Sequence, residues 1–201
     1  NVPVWVDPRR DRAVAKAVDN ADIIFSDDGL QHYAMTRAFE ILVIDAQRQF
    51  GNGWLLPVGP LREPLWRRQQ VDLELCNGVD FQVRPTALVN AKTGERHSPK
   101  VLRGQTVHAV AGIGNPQRFL TTLEQQGACV HCHWFDDHHD FSVADLEFGD
   151  NLPIVMTEKD WVKIRPFAAQ KMWYLQVGTA MAHSVKDRLE TELLRVSERS
   201  T

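Results

Sequence analysis

The sequence predicts an α/β protein: part of a parallel-sheet core, then a smaller α/β lobe joined to it by a β-hairpin. Two observations carry this. Short apolar runs alternate with helical stretches, the order that builds strand–helix–strand units. The runs are also continuously apolar, as parallel strands buried on both faces are. Residues 2–6 are a first run, and Pro8 opens a helical stretch over 9–18 with Ala13, Val14, Ala17 and Val18 on one side. Residues 21–25 form a second run, ended by Ser26-Asp27-Asp28-Gly29, and 39–44 a third, ended by Asp45.

Residues 46–66 break the pattern. Gly51, Gly53, Pro57, Gly59, Pro60 and Pro64 punctuate a loop of a length that in compact domains usually marks function. A strand is expected at 71–76, then a hairpin of 81–89 with 96–101, turning at Ala91-Lys92-Thr93-Gly94. A second α/β series follows. It begins with a strand over 107–111, the turn Gly112-Ile113-Gly114-Asn115, and a helix opened by Pro116 and closed near Gln126 by Gly127. A strand over 129–135, a short helix over 143–148 and a strand over 153–156 come next. Thr157 then caps a helix, with Asp160 three residues on, close to a capping box. A strand over 172–177 and an amphipathic helix over 185–196 complete the chain. The expected division is 1–78, 79–106 as the hairpin linker, and 107–201 as the C-terminal lobe.

Composition sets the outer limits. The 201 residues are 43% hydrophobic and 24% charged, enough for a real core and unlike a disordered or disulfide-dense chain. A net charge of −3 provides no global basic footprint for nucleic acid. Three cysteines make no secreted disulfide framework and suggest a reducing compartment. No apolar run approaches the roughly 18–20 residues of a membrane span, and no signal peptide is visible. The chain opens on Asn1, without an initiator Met, as a segment cut from a longer chain would.

Several constellations carry chemistry. The apolar run ending in Asp27 and Asp28 has the shape of a Walker B strand, whose carboxyl end is where open α/β sheets bind ligands. Paired carboxylates suit Mg²⁺, which takes one or two carboxylates with phosphates and waters; the alternative is a plain Asp-Gly turn. No G-x-x-x-x-G-K-[ST] run accompanies it. Gly112-Ile113-Gly114 follows a strand and opens a helix, but Gln117 stands where a dinucleotide fingerprint has its third glycine. The stretch 47–68 combines Arg48, Arg62, Arg67 and Arg68 with Trp54, Leu55, Leu56, Leu65 and Trp66. Arginine forks suit phosphate, and Trp and Leu suit an acyl tail or a membrane interface; packing of the apolar residues beneath the loop is the alternative. Asp136-Asp137-His138-His139-Asp140 offers histidines for proton transfer, or a polar surface turn. Cys129, His131 and His133 share one strand face while Cys132 points away, a spacing that argues against structural zinc.

Taken together these blocks resemble the tetraacyldisaccharide 4′-kinases, the lipid A 4′-kinases of Gram-negative bacteria. The resemblance rests on Ser26-Asp27-Asp28-Gly29-Leu30-Gln31-His32-Tyr33, and on 50–57 with Gly59-Pro60-Leu61-Arg62-Glu63-Pro64. It extends to 111–116 with Arg118 and Phe119, to 135–141, and to Thr157-Glu158-Lys159-Asp160. It implies a P-loop kinase with a larger nucleotide-binding core, of which 1–78 is the remainder. It also implies transfer of the γ-phosphoryl of ATP to the 4′-hydroxyl of a tetraacyldisaccharide 1-phosphate, at the cytoplasmic face of the inner membrane. Asp27 and Asp28 are then the Mg²⁺ residues, with Gln31, His32 and Glu63 in the shell around the nucleotide and metal. His138 and His139 are the catalytic candidates. Arg62, Arg67, Arg68 and Trp54 are the substrate-facing residues. The Walker A lysine of that family has no counterpart in these 201 residues, so the expectation is a C-terminal part, inactive alone. The rival readings are a non-catalytic truncated product, a lipid- or phosphate-binding module, and a GTPase-like enzyme; the last lacks its N-K-x-D.

Overall fold

The computed structural model describes residues 2–198. The chain divides at Gln82–Val83 and again at Thr179–Ala180 into two compact units; the second is Val83–Thr179 and the first is made of the two flanking stretches. The hairpin expected as a linker thus counts mostly with the second unit, and the C-terminal helix with the first.

In the first unit, helix α1 (Arg10–Ala17) buries Ala17. Strands β1 (Ile41–Asp45) and β2 (Leu73–Asn77) pair in parallel, Ile41 opposite Leu73 through Asp45 opposite Asn77. Leu73 and Leu75 are buried. Two expected strands do not form: residues 2–6 and 21–25 join no ladder among the described residues. Val2, Val4, Val6 and Phe25 stand exposed. A strand exists only where neighbours take up its N–H and C=O groups, and apolar sequence alone supplies no neighbour.

The second unit is a doubly wound sheet. Its strands are β3 (Phe81–Asn90), β4 (Arg96–His97), β5 (Thr106–Ala111), β6 (Cys129–Trp134), β7 (Ile154–Thr157) and β8 (Met172–Met181). Their order is β3-β8-β7-β5-β6, with β4 antiparallel on β3 and the β8-β7-β5-β6 neighbours parallel. Alternate residues supply two cores. Val89, Val110, Ile154, Met156 and Tyr174 meet one set of partners; Leu88, Val107, Ala109, Val155 and Leu175 meet the other. Helix α2 (Pro116–Gln125) adds Phe119 and Leu123 to the latter, and helix α3 (Glu158–Ile164) adds Ile164 to the former.

Two elements are shorter than expected. The second hairpin arm stops at His97, because Pro99 has no N–H to donate and starts a tight turn capped by Ser98. The helix expected over 143–148 is one turn, Ala144–Leu146. The chain then returns to the first unit as helix α4 (His183–Glu198).

Candidate functional site

In the first unit the Asp27–Asp28 turn and the end of the long loop are tied by one polar network. Asp28 has φ +49°, a left-handed backbone that Asp tolerates. Its carboxylate accepts from Arg62 at 3.0 Å, and both side chains are exposed. Glu63 accepts from Gln31 Nε2 at 2.8 Å and from the Tyr33 hydroxyl. Arg10 donates to Ser26 Oγ at 3.2 Å and to the Asp27 carbonyl.

Beneath this lies a more buried layer. Arg37 donates to the carbonyls of Gly29 at 3.1 Å and His32 at 2.8 Å, and pairs with Glu40 at 2.6 Å. Arg67 pairs with Glu40 at 2.7 Å and lies 3.9 Å from Glu63. Burial pushes the Glu40 carboxyl up, but the guanidiniums of Arg67 and Arg37 outweigh it and hold it below the usual range.

The long loop is ordered by its own backbone. Leu56 N–H donates to the Leu61 carbonyl at 2.9 Å and Leu61 N–H to the Trp54 carbonyl at 3.1 Å. Asn52 clamps the loop, giving Nδ2 to the Val58 carbonyl and accepting from Trp54 N–H. A Cβ at position 59 would collide with Asn52 Oδ1 and the Trp54 carbonyl, so only glycine lets these strands of loop approach. Trp54, Leu56, Val58 and Trp66 are left exposed.

The histidines lie in the second unit. His139 is half-buried, its Nε2 3.3 Å from Asp145 Oδ2, its ring against Phe135 and Phe141, and its carbonyl accepting from Lys163. Asp145 is held below its ordinary range by the Ser142 amide first, then the Ser142 hydroxyl and His139. A base fixed by an orienting carboxylate is the arrangement catalytic histidines use. His138 is exposed, with φ +68° and Nε2 3.8 Å from Asp137. Asp137 pairs with Lys159 at 2.9 Å, which lowers its pKa. Asp160, wholly buried, accepts from Thr157 Oγ1 at 2.6 Å and Gly112 N–H at 3.3 Å, joining the ends of β7 and β5; its Oδ1 has no partner.

The structure therefore brings together Asp28 with Arg62 and Gln31 with Glu63, while Asp27 and His32 join through their carbonyls. Arg67 pairs with Glu40, and Arg68 pairs with Glu74 at 2.7 Å and lies over the Phe50 ring. Sequence reasoning missed Arg10, Tyr33, Arg37, Glu40 and Asp145. Only the Arg37-x-x-Glu40 spacing was a local signal. Among the described residues no three ligating side chains converge as a metal cage.

Residues 1–194 match the family profile described as tetraacyldisaccharide-1-P 4′-kinase. The chain belongs to this family. It is 47% identical to the tetraacyldisaccharide 4′-kinase of Pseudomonas fluorescens (strain Pf0-1) across 97% of this chain and 61% of that protein. Against the protein of the same name from Pseudomonas aeruginosa (strain UCBPP-PA14), identity is 48%, over 88% of this chain and 56% of the relative. The chain thus spans about three fifths of the length of such relatives. The crystal structure of "apo" form LpxK from Aquifex aeolicus in complex with ATP shares the fold. Its TM-score is 0.72 at 24% identity, over 93% of this chain and 62% of that one.

Proposed function

We propose that this chain carries the metal-binding, nucleotide-shell and proton-transfer residues of a lipid A 4′-kinase. The observation that carries the reading is the pairing of Asp28 with Arg62, next to the hydrogen bond from Gln31 to Glu63, in a chain of the 4′-kinase family. In the reaction the 4′-hydroxyl oxygen of a tetraacyldisaccharide 1-phosphate bonds to the γ-phosphorus of ATP. The bond from that phosphorus to the β–γ bridging oxygen breaks, and ADP leaves. His138 and His139 are the groups for the hydroxyl proton.

Asp27 and Asp28 fit Mg²⁺, which asks the protein for one or two carboxylates and takes its other oxygens from phosphates and water. When bound, Mg²⁺ supplies neutralisation of the charge on the transferring phosphoryl. Arg62, held at Asp28, is placed to exchange that carboxylate for an anionic sugar or phosphate. Gln31 and Tyr33 orient Glu63. Arg67 and Arg68 act here by holding the loop, through Glu40 and Glu74. The exposed Trp54, Leu56, Val58 and Trp66 suit the acyl region of the lipid at the cytoplasmic face of the inner membrane. Among the described residues no helix is long and apolar enough to cross a membrane.

The test is phosphate transfer from γ-labelled ATP to tetraacyldisaccharide 1-phosphate. It compares this chain alone with the chain joined to the N-terminal remainder of the Pseudomonas fluorescens relative. Without a G-x-x-x-x-G-K-[ST] cradle the chain alone is expected to transfer nothing. The joined protein is expected to form the 4′-phosphate and to lose it in Asp28→Ala. A folded joined protein that transfers no phosphate would overturn the reading.

A further inference from the structure

We propose that Lys159 and Lys163 of α3 are positioning residues: they clamp the turn 136–139 on both sides of His138 and so hold the histidines in place for proton transfer. The inference deepens the kinase reading above and rests on it for the reaction that the histidines serve. The turn itself needs holding. His139 N–H donates to the Asp136 carbonyl at 3.0 Å, which makes Asp137 and His138 the central residues of a four-residue turn. The second of them has φ +68°, in a place that glycine or asparagine would fill with less strain. A residue with a Cβ stays in such a backbone where its surroundings fix it, and residues of this kind gather at functional sites. The His138 side chain is exposed, with Nε2 3.8 Å from Asp137. The fixing therefore comes from the residues before and after it.

Helix α3 supplies it. Residues four apart share one face of a helix, so Lys159 and Lys163 project on the same side. Lys159 Nζ donates to Asp137 Oδ1 at 2.9 Å, on the residue before His138. Lys163 Nζ donates to the His139 carbonyl at 3.0 Å, on the residue after it, and lies 5.8 Å from the centre of the Phe141 ring. The helix that carries both lysines is anchored in turn. Asp160, wholly buried, takes hydrogen bonds from the Thr157 hydroxyl and from Gly112 N–H, which ties α3 to the end of β5. A Cβ at Gly112 would stand 3.2 Å from the Asp136 carbonyl and 3.4 Å from Asp160 Oδ1. The start of the turn and the start of the helix thus press against one point of the backbone. Asp145 sets the ring of His139, and the two lysines set the backbone that carries both rings. Each lysine is engaged by the turn, so its effect on phosphate transfer passes through the histidines.

The experiment measures the joined protein with Lys159→Met, Lys163→Met or Lys159→Arg, each with the histidines intact and in a His138→Ala/His139→Ala background. Lys163→Met is expected to lower kcat about tenfold, since a small misplacement of a reacting group is that costly. The KM values for ATP and for the lipid should stay within about twofold of the parent, because only an interaction serving the transition state is lost. Lys159→Met should act in the same direction, and Lys159→Arg, which still pairs with Asp137, should recover most of the loss. In the background without histidines, neither lysine change should lower the residual transfer further. In the 201-residue chain, Lys163→Met should reduce the exchange protection of the His139 amide and leave that of the β5 amides as it was. Lys159→Met, at a half-exposed position, keeps the test open should Lys163→Met fail to fold. Parental kcat in either folded Met variant would overturn the proposal. So would a raised KM for ATP at unchanged kcat, which marks a direct phosphate contact, or an equal further loss in the background without histidines. The two readings fail separately. A joined parent that transfers phosphate as well as its lysine variants do sinks the clamp alone. A joined parent that transfers nothing sinks the kinase reading, and the His139 amide then decides the clamp by itself.

Discussion

Glu40 sits between two guanidiniums, Arg37 at 2.6 Å and Arg67 at 2.7 Å, and is the pivot through which the turn at Gly29–His32 is held. Its folded-state pKa is depressed, so its contribution to stability is full above the unfolded value, about 4.3, and is lost as pH falls through the lower folded value. Glu40→Gln should therefore cost about 1 kcal/mol near neutral pH and make acid unfolding of the first unit less steep below pH about 4. Equal acid midpoints and equal slopes in variant and parent would show the pairs to be idle. The histidines separate in the same way. His138 is exposed and His139 is packed between Phe135 and Phe141. In the joined kinase, His138→Ala should lower kcat with stability within about 0.5 kcal/mol of the parent, whereas His139→Ala should lower both kcat and Tm. A His138→Ala protein with parental kcat removes His138 from the reaction.

At the scale of elements, the loop 46–66 and the β5–β6 edge show two ways in which a segment is held. The loop has little core of its own and depends on close approach of its backbone at Gly59. Gly59→Ala should cost about 1–3 kcal/mol by overpacking and shift the fluorescence of Trp54 in urea titrations. An unchanged midpoint would mean that the Asn52 clamp is dispensable. On the β5–β6 edge, His108 Nδ1 lies 2.9 Å from His133 Nε2, and its Nε2 lies 3.0 Å from Asp150. The ring of His133 stacks on Phe148. Burial first, then the charges of His108 and His131, push the His133 pKa down. The neutral form is thus the folded form, so its contribution is present above the ordinary histidine value of about 6.5 and declines as pH falls below it. The protection of the β6 amides, taken relative to their intrinsic exchange rate at each pH, should fall between pH about 6.5 and 5.5 in the parent and change less in His133→Gln; identical profiles would dismiss the pair as a pH-sensitive element.

At the scale of the molecule, the units differ in how much they bury. Of the buried apolar residues described, only Ala17, Leu73 and Leu75 belong to the first unit. Stability follows buried apolar area, so the slowest-exchanging amides should be those of β5 and β7 in the second unit. Protection of β1 and β2 equal to that of β5 would contradict this. The order and type of most elements were legible in the sequence because their signals are local: the continuous apolar runs of β5 and β7, Pro116 and Thr157 at helix starts, Gly127 after a helix. The five motif blocks were legible too, and they placed the chain in its family, because each is a short run of neighbouring residues. What only the tertiary structure decided depends on residues far apart in the chain. Residues 21–25 are as apolar as β1, yet a strand needs a partner on its edge, and none is present among the described residues. The pairing of Arg67 with Glu40 and of Arg68 with Glu74 could not be read from residue types alone. The pairing of His108 with Asp150 arises from strand order, which periodicity cannot encode, because it is settled by which neighbours bury each face.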